Sequence, residues 1–107
     1  MNDICIVYIT SSGKKEALEI AHLLVKENLA ACVNIYDNVT SVYKWDKEVK
    51  EDPEAVLFVK TVTRLVSRIK ETVKKIHSYS CPCIVTIPVA DADKDFADWI
   101  INCTKEG

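Results

Sequence analysis

Residues 30–61 constrain the fold most, because they read as two long strands folded back on each other near residues 45–48. In the first half, the odd positions Ala31, Val33, Ile35, Val39, Tyr43 and Trp45 fall on one face, since strand side chains alternate with period two. Asp37 and Ser41 interrupt that row. The other face carries Cys32, Asn34, Tyr36, Thr40 and Val42 and is itself partly apolar. The returning half, Ala55-Val56-Leu57-Phe58-Val59, is apolar on both faces. An antiparallel ribbon normally leaves one face to water, so this one predicts a cover on each side.

The flanking segments supply one of those covers. Ile4-Cys5-Ile6-Val7-Tyr8-Ile9 is a continuous apolar run of the kind found in a central strand, and Thr10-Ser11-Ser12-Gly13 ends it and caps a helix. From Lys14 to Asn28, Ala17, Leu18, Ala21, Leu24 and Val25 form a helical stripe that leaves Glu16, Glu19, Lys26 and Glu27 toward solvent. His22 reads as a partly buried helix histidine beside that stripe. Thr63 predicts the cap of a second amphipathic helix, with Leu65, Val66, Ile69, Val73 and Ile76 inward and Arg64, Arg68, Lys70, Lys74 and Lys75 on a solvated outer face. The run Ile84-Val85-Thr86-Ile87-Pro88-Val89 is a strand at a sheet edge, since Pro88 has no N–H to give a ladder. A short helix from Asp95 to about Cys103 presents Phe96, Trp99, Ile100 and Cys103, and the nearby Asp91 and Asp93, with Asp95, suit its N-terminus.

The order strand, helix, strand, strand, helix, strand, with a short helix after it, predicts an α+β, ferredoxin-like split βαβ sandwich over residues 1–107 as a single domain. Right-handed crossovers put both long helices on one face of the sheet. The second face then needs another copy of the chain, so the pattern predicts a homo-oligomer. The net charge of −2 offers no basic excess to neutralise phosphates, which excludes a nucleic-acid role. No apolar run is long enough to span a membrane and no signal peptide is expected, so a cytoplasmic protein is predicted. Five cysteines cannot all pair within one chain, and reduced thiols are the simpler reading.

The segments Leu29-Ala30-Ala31-Cys32-Val33-Asn34-Ile35, Ser41-Val42-Tyr43-Lys44-Trp45, Val59-Lys60-Thr61, His77-Ser78-Tyr79 with Pro82, and Phe96-Ala97-Asp98-Trp99-Ile100 stand in an order and at spacings that resemble the divalent-cation tolerance family, CutA. The resemblance implies a ferredoxin-like homotrimer whose long hairpins reach neighbouring subunits, and a link to copper and other divalent metals. It also implies a likeness in fold to the trimeric PII signalling proteins. Against the family pattern, Lys47 stands at a glycine of the hairpin turn, Lys50 and Cys83 at acidic positions, Ala92 at a glycine, Phe96 at a tyrosine, and Ser78 at the proline of His-Pro-Tyr. Copper-binding members carry a thiol at the end of the first strand and histidines before that loop, where this chain has Ile9 and Ile76.

The residues themselves offer a different ligand set. Cys81 and Cys83, two apart, point to the same side if the strand begins there, and the loop can bring His77 back toward them. Thiolates with an imidazole suit Cu(I) or Zn(II). The plainer alternative, that the two cysteines only pack beside Pro82, stays open. Cys32 is a further candidate ligand, with packing beneath a helix as its alternative. Tyr43, Trp45, Tyr79 and Trp99, with Lys60, are expected at an interface or inter-subunit pocket. A cysteine hydrolase would rest on His77 with Cys81 or Cys83, but the chain has only Gly13 and Gly107 and so no glycine-rich oxyanion loop. The expected protein is therefore non-enzymatic and requires no cofactor, with copper or another divalent metal ion as its candidate ligand. The alternatives are a trimeric scaffold for an unidentified protein partner, or a PII-like small-ligand sensor with clefts between subunits.

Overall fold

The computed structural model describes residues 3–105. Strand β1 (Ile4–Ser11) is followed by helix α1 (Lys14–Lys26), the hairpin strands β2 (Cys32–Trp45) and β3 (Glu48–Val62), helix α2 (Val66–Ile76), strand β4 (Ile84–Pro88) and helix α3 (Lys94–Cys103). The sheet order is β2-β3-β1-β4 with every neighbouring pair antiparallel. This is the split βαβ arrangement, and it puts β4 with Pro88 at an edge as expected.

One face of the sheet carries the main core. Val7, Ile9, Leu57 and Val59 are fully buried in one cluster with Ile20 and Leu24 of α1 and Ile69 and Val73 of α2. Burying each such side chain is worth about 1.5 to 3 kcal/mol relative to exposure. Local details depart from the sequence reading. Ile20 takes the inward place, while Leu18, Val25 and His22 are exposed. Asn28, at φ 60°, ends the α1 region in the left-handed conformation that asparagine tolerates. Thr63 does not cap α2 with its side chain, because a single 3₁₀ turn (Thr63–Leu65) intervenes, and its hydroxyl donates to the Asp3 carbonyl at 3.0 Å. Asp93 does cap α3, accepting from the Phe96 N–H at 3.2 Å.

The long ribbon corrects the expected faces. Tyr36 pairs with Val56 but Val39 pairs with Glu54, so β2 carries one residue more than β3 across this step. The bulge has Asn38 at φ 61°, and it reverses the parity of everything beyond. Val33 and Ile35, opposite Val59 and Leu57, face the helices. Val39, Tyr43 and Trp45, opposite Glu54, Lys50 and Glu48, face the other way. Cys32, opposite Lys60, is on that second face and not beneath α1.

β1 pairs with β3 only from Ala55 onward, so β3 residues 48–54 and their β2 partners form a projecting two-stranded arm. Pro53 lies in this arm opposite Thr40, where β2 is the only strand beside β3, a setting in which sheets tolerate proline. The second face was expected to be bare, yet α3 covers one end of it. Ala97 and Ile100 are buried in the cluster with Ile4 and Val62, and the Lys60 ammonium lies 5.7 Å from the centre of the Phe96 ring. The rest stays open as an aromatic row, Tyr8 against Phe58 at 5.6 Å and Tyr36 against Phe58 at 5.5 Å, with Val85 and Ile87 beside it.

The arm closes through a two-residue turn in which Asp46 and Lys47 have φ of 51° and 68°. Such turns favour glycine in the second place, because a Cβ is disfavoured in the left-handed region. Replacing Lys47→Gly is expected to stabilise the chain by about 0.5 to 1 kcal/mol, read as a higher urea midpoint with unchanged circular dichroism. A lower midpoint would show that the lysine side chain contributes more than the turn loses.

Candidate functional site

The parity switch gathers one set of side chains at the base of the arm. Tyr8 and Thr10 of β1, Asp52 and Glu54 of β3, and Ser41, Tyr43 and Trp45 of β2 now share the second face. With Tyr79, Cys81 and Cys83 from the loop before β4 they line a cleft of about 790 Å³. Glu54 stitches its two walls. One carboxylate oxygen accepts from the Ser41 hydroxyl at 2.6 Å and the other from the Tyr79 hydroxyl at 2.7 Å. Tyr43 donates its hydroxyl to Asp52. That bond, and the negative charge around it, pushes the Tyr43 phenol above its ordinary range. Burial, then the Glu54 bond and charge, do the same to Tyr79. The cleft lining therefore holds carboxylates, hydroxyls, thiols and aromatic rings, with no lysine or arginine.

Cys81 is exposed and Cys83 half-buried, and both line this cleft. Burial pushes the Cys83 thiol up, the Glu54 charge adds to that, and a bond with Thr10 opposes it. His77 does not join them. Its side chain is fully buried, Nε2 donates to the Thr10 carbonyl at 2.8 Å, and Nδ1 accepts the Tyr79 N–H at 3.1 Å. Together these bonds fix the Nε2–H tautomer and leave no ring lone pair for a metal. Among the described residues, no group of three or more His, Cys, Asp or Glu side chains is placed to hold a metal ion, so the set of His77, Cys81 and Cys83 is not assembled. Ile9 is fully buried and Ile76 is 44% exposed, so neither position of the resembling family's copper set has a ligand here.

The expected pocket residues divide into separate groups. Tyr43, Trp45 and Tyr79 line the cleft. Lys60 and Trp99 belong to the α3 end, where Trp99 stacks on Phe96 at 5.5 Å. Along β3 that end is about 20 Å from Glu54.

Sequence reasoning put Glu16 in solvent, yet its side chain is only 12% exposed. Its carboxylate accepts the Ser12 N–H and hydroxyl, both at 2.9 Å, the Ser78 N–H at 2.7 Å and the Ser78 hydroxyl at 3.1 Å. Burial opposes its charge, but these bonds prevail and bring its pKa down to about 2 from 4.5. Glu16 is the third residue of α1, from which a capping-box glutamate turns back on its own helix start, and that position was the available signal. The Ser78 N–H is a donor that proline, expected there from the family resemblance, lacks.

The geometry defines a class: a split βαβ domain with a projecting hairpin arm, an aromatic open face and an acidic cleft at the arm's base. The family described as CutA1 divalent ion tolerance protein matches residues 5–103, and the chain belongs to that family. It is 45% identical over 95 residues to the divalent-cation tolerance protein CutA of Thermus thermophilus, covering 89% of this chain and 92% of that one. The structure of CutA1 from Oryza sativa superposes with a TM-score of 0.94 at 34% identity, covering 97% of this chain and 95% of that chain. That of the periplasmic divalent cation tolerance protein CutA from Archaeoglobus fulgidus gives 0.92 at 36% identity, covering 94% and 98%. The chain spans little more than half of the longer relatives, 57% of the chloroplastic rice protein and 55% of the mouse protein. Among the described residues, no helix is long and apolar enough to cross a membrane.

The Glu16 geometry fixes a pH dependence. A carboxylate with a depressed folded pKa stabilises fully above its unfolded value of 4.5, and that contribution fades as pH falls toward 2. Glu16→Gln is expected to cost on the order of 2 to 3 kcal/mol at pH 7, with the difference from the parent shrinking toward pH 2 in urea titrations. Ser78→Pro removes both serine donors and is expected to cost about 1 to 3 kcal/mol. Equal differences at pH 7 and pH 2 for the glutamine variant would contradict the assignment.

Proposed function

We propose that the chain acts as a non-catalytic homotrimer in the response to divalent metal ions, holding a soft ion such as copper through Cys81 and Cys83. The observation that carries the assembly is the open apolar sheet face, on which Tyr36 is 60% exposed and Trp45 is 50% exposed. A contiguous apolar face of this kind marks an interaction surface. The arm adds to the argument, because a two-stranded ribbon is at best marginally stable in water, and Val42 and Val49 on its other side are exposed as well. A threefold assembly follows the family resemblance.

Direct metal binding is supported by two unpaired thiols lining one cleft, since paired thiolates suit a soft monovalent ion without further ligands. A non-catalytic role is supported by His77, whose ring nitrogens are both engaged by backbone and so cannot serve a thiol as base. The unpaired cysteines favour a reducing compartment, the cytoplasm. Relatives named as chloroplastic and periplasmic show that family members also work elsewhere. A second reading, a small-ligand sensor, is favoured by the volume of the cleft, which far exceeds that of an ion.

Native mass spectrometry of the reduced protein, with and without one equivalent of copper per chain, tests the proposal. A trimer that gains discrete copper masses is expected. The Cys81→Ser, Cys83→Ser double variant should stay trimeric and lose the copper, whereas undiminished copper uptake would refute the thiol site. Tyr36→Glu should shift the trimer to monomer, and a monomeric parent protein would overturn the assembly.

A further inference from the structure

We propose that the outward face of α2 docks an acidic, extended segment of a partner protein, held by Arg68, Lys70, Lys74 and Lys75. The proposal goes beyond the trimer and the cleft. α2 packs on the sheet face opposite the one through which copies of the chain assemble, so that assembly leaves it outward.

Segregation of charge carries the proposal. Ile69 and Val73 of α2 turn into the core, and the four cations around them are exposed. With Glu71 as its one acidic residue, α2 carries +3 in a chain of net charge −2, so the other residues together carry −5. The flanking segments do not cancel this. The 3₁₀ turn before α2 adds Arg64, and the loop after it, residues 77–83, adds no acid. On the neighbouring helix, Lys14, Lys15 and Lys26 are balanced by Glu16, Glu19 and the following Glu27. Among the described residues the lysine–carboxylate pairs, Lys50 with Glu48 and Lys94 with Asp98, lie elsewhere, so the four cations keep their charge for a partner.

The layout of the patch selects the partner. Lys70 and Lys74 form one row and Arg68 and Lys75 another, because residues four and seven apart stand on one side of a helix. The rows lie along a helix of 11 residues, which is about 16 Å long. None of the four residues lines the cleft or the smaller cavity beside Arg64 and Thr104. A single small anion finds no enclosure here, whereas an extended segment with several carboxylates meets all four charges. A broad anionic surface such as a lipid bilayer must also approach the negative remainder of the chain. The one large apolar side chain that α2 exposes for insertion is Ile76. A narrow acidic segment touches the basic helix alone. Glu71 stands between the two rows and opposes any anion, so its removal gives the proposal a sign that a merely solvated face would not show.

The test is fluorescence anisotropy of a labelled, end-capped octaglutamate titrated with the reduced full chain at about 0.15 M salt, with octaglutamine as the uncharged control. Octaglutamate is expected to saturate at one peptide per chain with a Kd of about 100 μM or tighter, and to weaken by ~10-fold or more at about 0.5 M salt. The Lys70→Gln, Lys74→Gln double variant should weaken it by about 3- to 10-fold, and Glu71→Gln should strengthen it by about 2-fold. The Lys26→Gln, Lys105→Gln variant, which removes the same charge elsewhere, should leave it unchanged. All these side chains are exposed, so circular dichroism should match the parent. Octaglutamine binding as tightly as octaglutamate, no saturation below the millimolar range, or equal losses in the two lysine variants would each overturn the proposal. So would protein that sediments with phosphatidylserine vesicles through Lys70 and Lys74 and ignores the peptide, because the face would then belong to a lipid surface. The readout needs neither metal nor a trimer, so its outcome is separate from the copper and assembly tests.

Discussion

One extra residue in β2 decides what this chain can do with its long hairpin. Without the bulge at Asn38, Tyr43 and Trp45 would point to the helix side of the sheet, beyond the reach of α1 and α2, and Ser41 would point away from Glu54. With it, the inner part of the ribbon serves the core through Val33 and Ile35, and the outer part serves the opposite face. The acidic cleft, the aromatic row and the bond from Ser41 to Glu54 all depend on that single change of parity. An asparagine at positive φ makes the change tolerable for the backbone, and the arm's lack of a third strand lets it bend there.

The loop before β4 is the other fixed point, and it is organised by buried polar groups. Glu16 collects donors from Ser12, just before α1, and from Ser78, and His77 joins the end of β1 to the Tyr79 backbone. Tyr79 then reaches Glu54. Hydrogen bonds joined through the backbone of residues 77–79 thus link α1 through the loop to the arm, and the buried side-chain polar atoms among the described residues are satisfied.

The element order and the helix-facing core were legible in the sequence, because periods of two and of nearly four residues report directly on faces. So was the need for a second cover, which came from the returning strand being apolar on both sides. The bulge was not legible as such, since one inserted residue leaves alternation intact on either side of it. Its trace was Asp37, which broke the odd-numbered row at the step where that row changes face. Glu16 was misplaced for a related reason. A helical period assigns it outward with respect to its own helix and carries no information about a loop 62 residues further along that comes to meet it. His77 was read as a ligand on residue type and spacing, whereas its neighbours' backbone groups decide its lone pairs, and those are visible only in three dimensions. Tyr43, Trp45 and Tyr79 line one cleft, while Lys60 and Trp99 lie at the α3 corner that the expectation of a bare face omitted.

The serine at position 78 changes the kind of rigidity this loop possesses. A proline ring restricts a chain by covalent geometry, which is the same in any solvent. Here the corresponding restraint is an ionised carboxylate gripping an amide and a hydroxyl, and its strength follows the medium around it. The wall that carries Tyr79, Cys81 and Cys83 is therefore fastened by a chemical clasp and not by a molded hinge. A relative with proline at this place would hold the same wall at a setting that its surroundings cannot adjust.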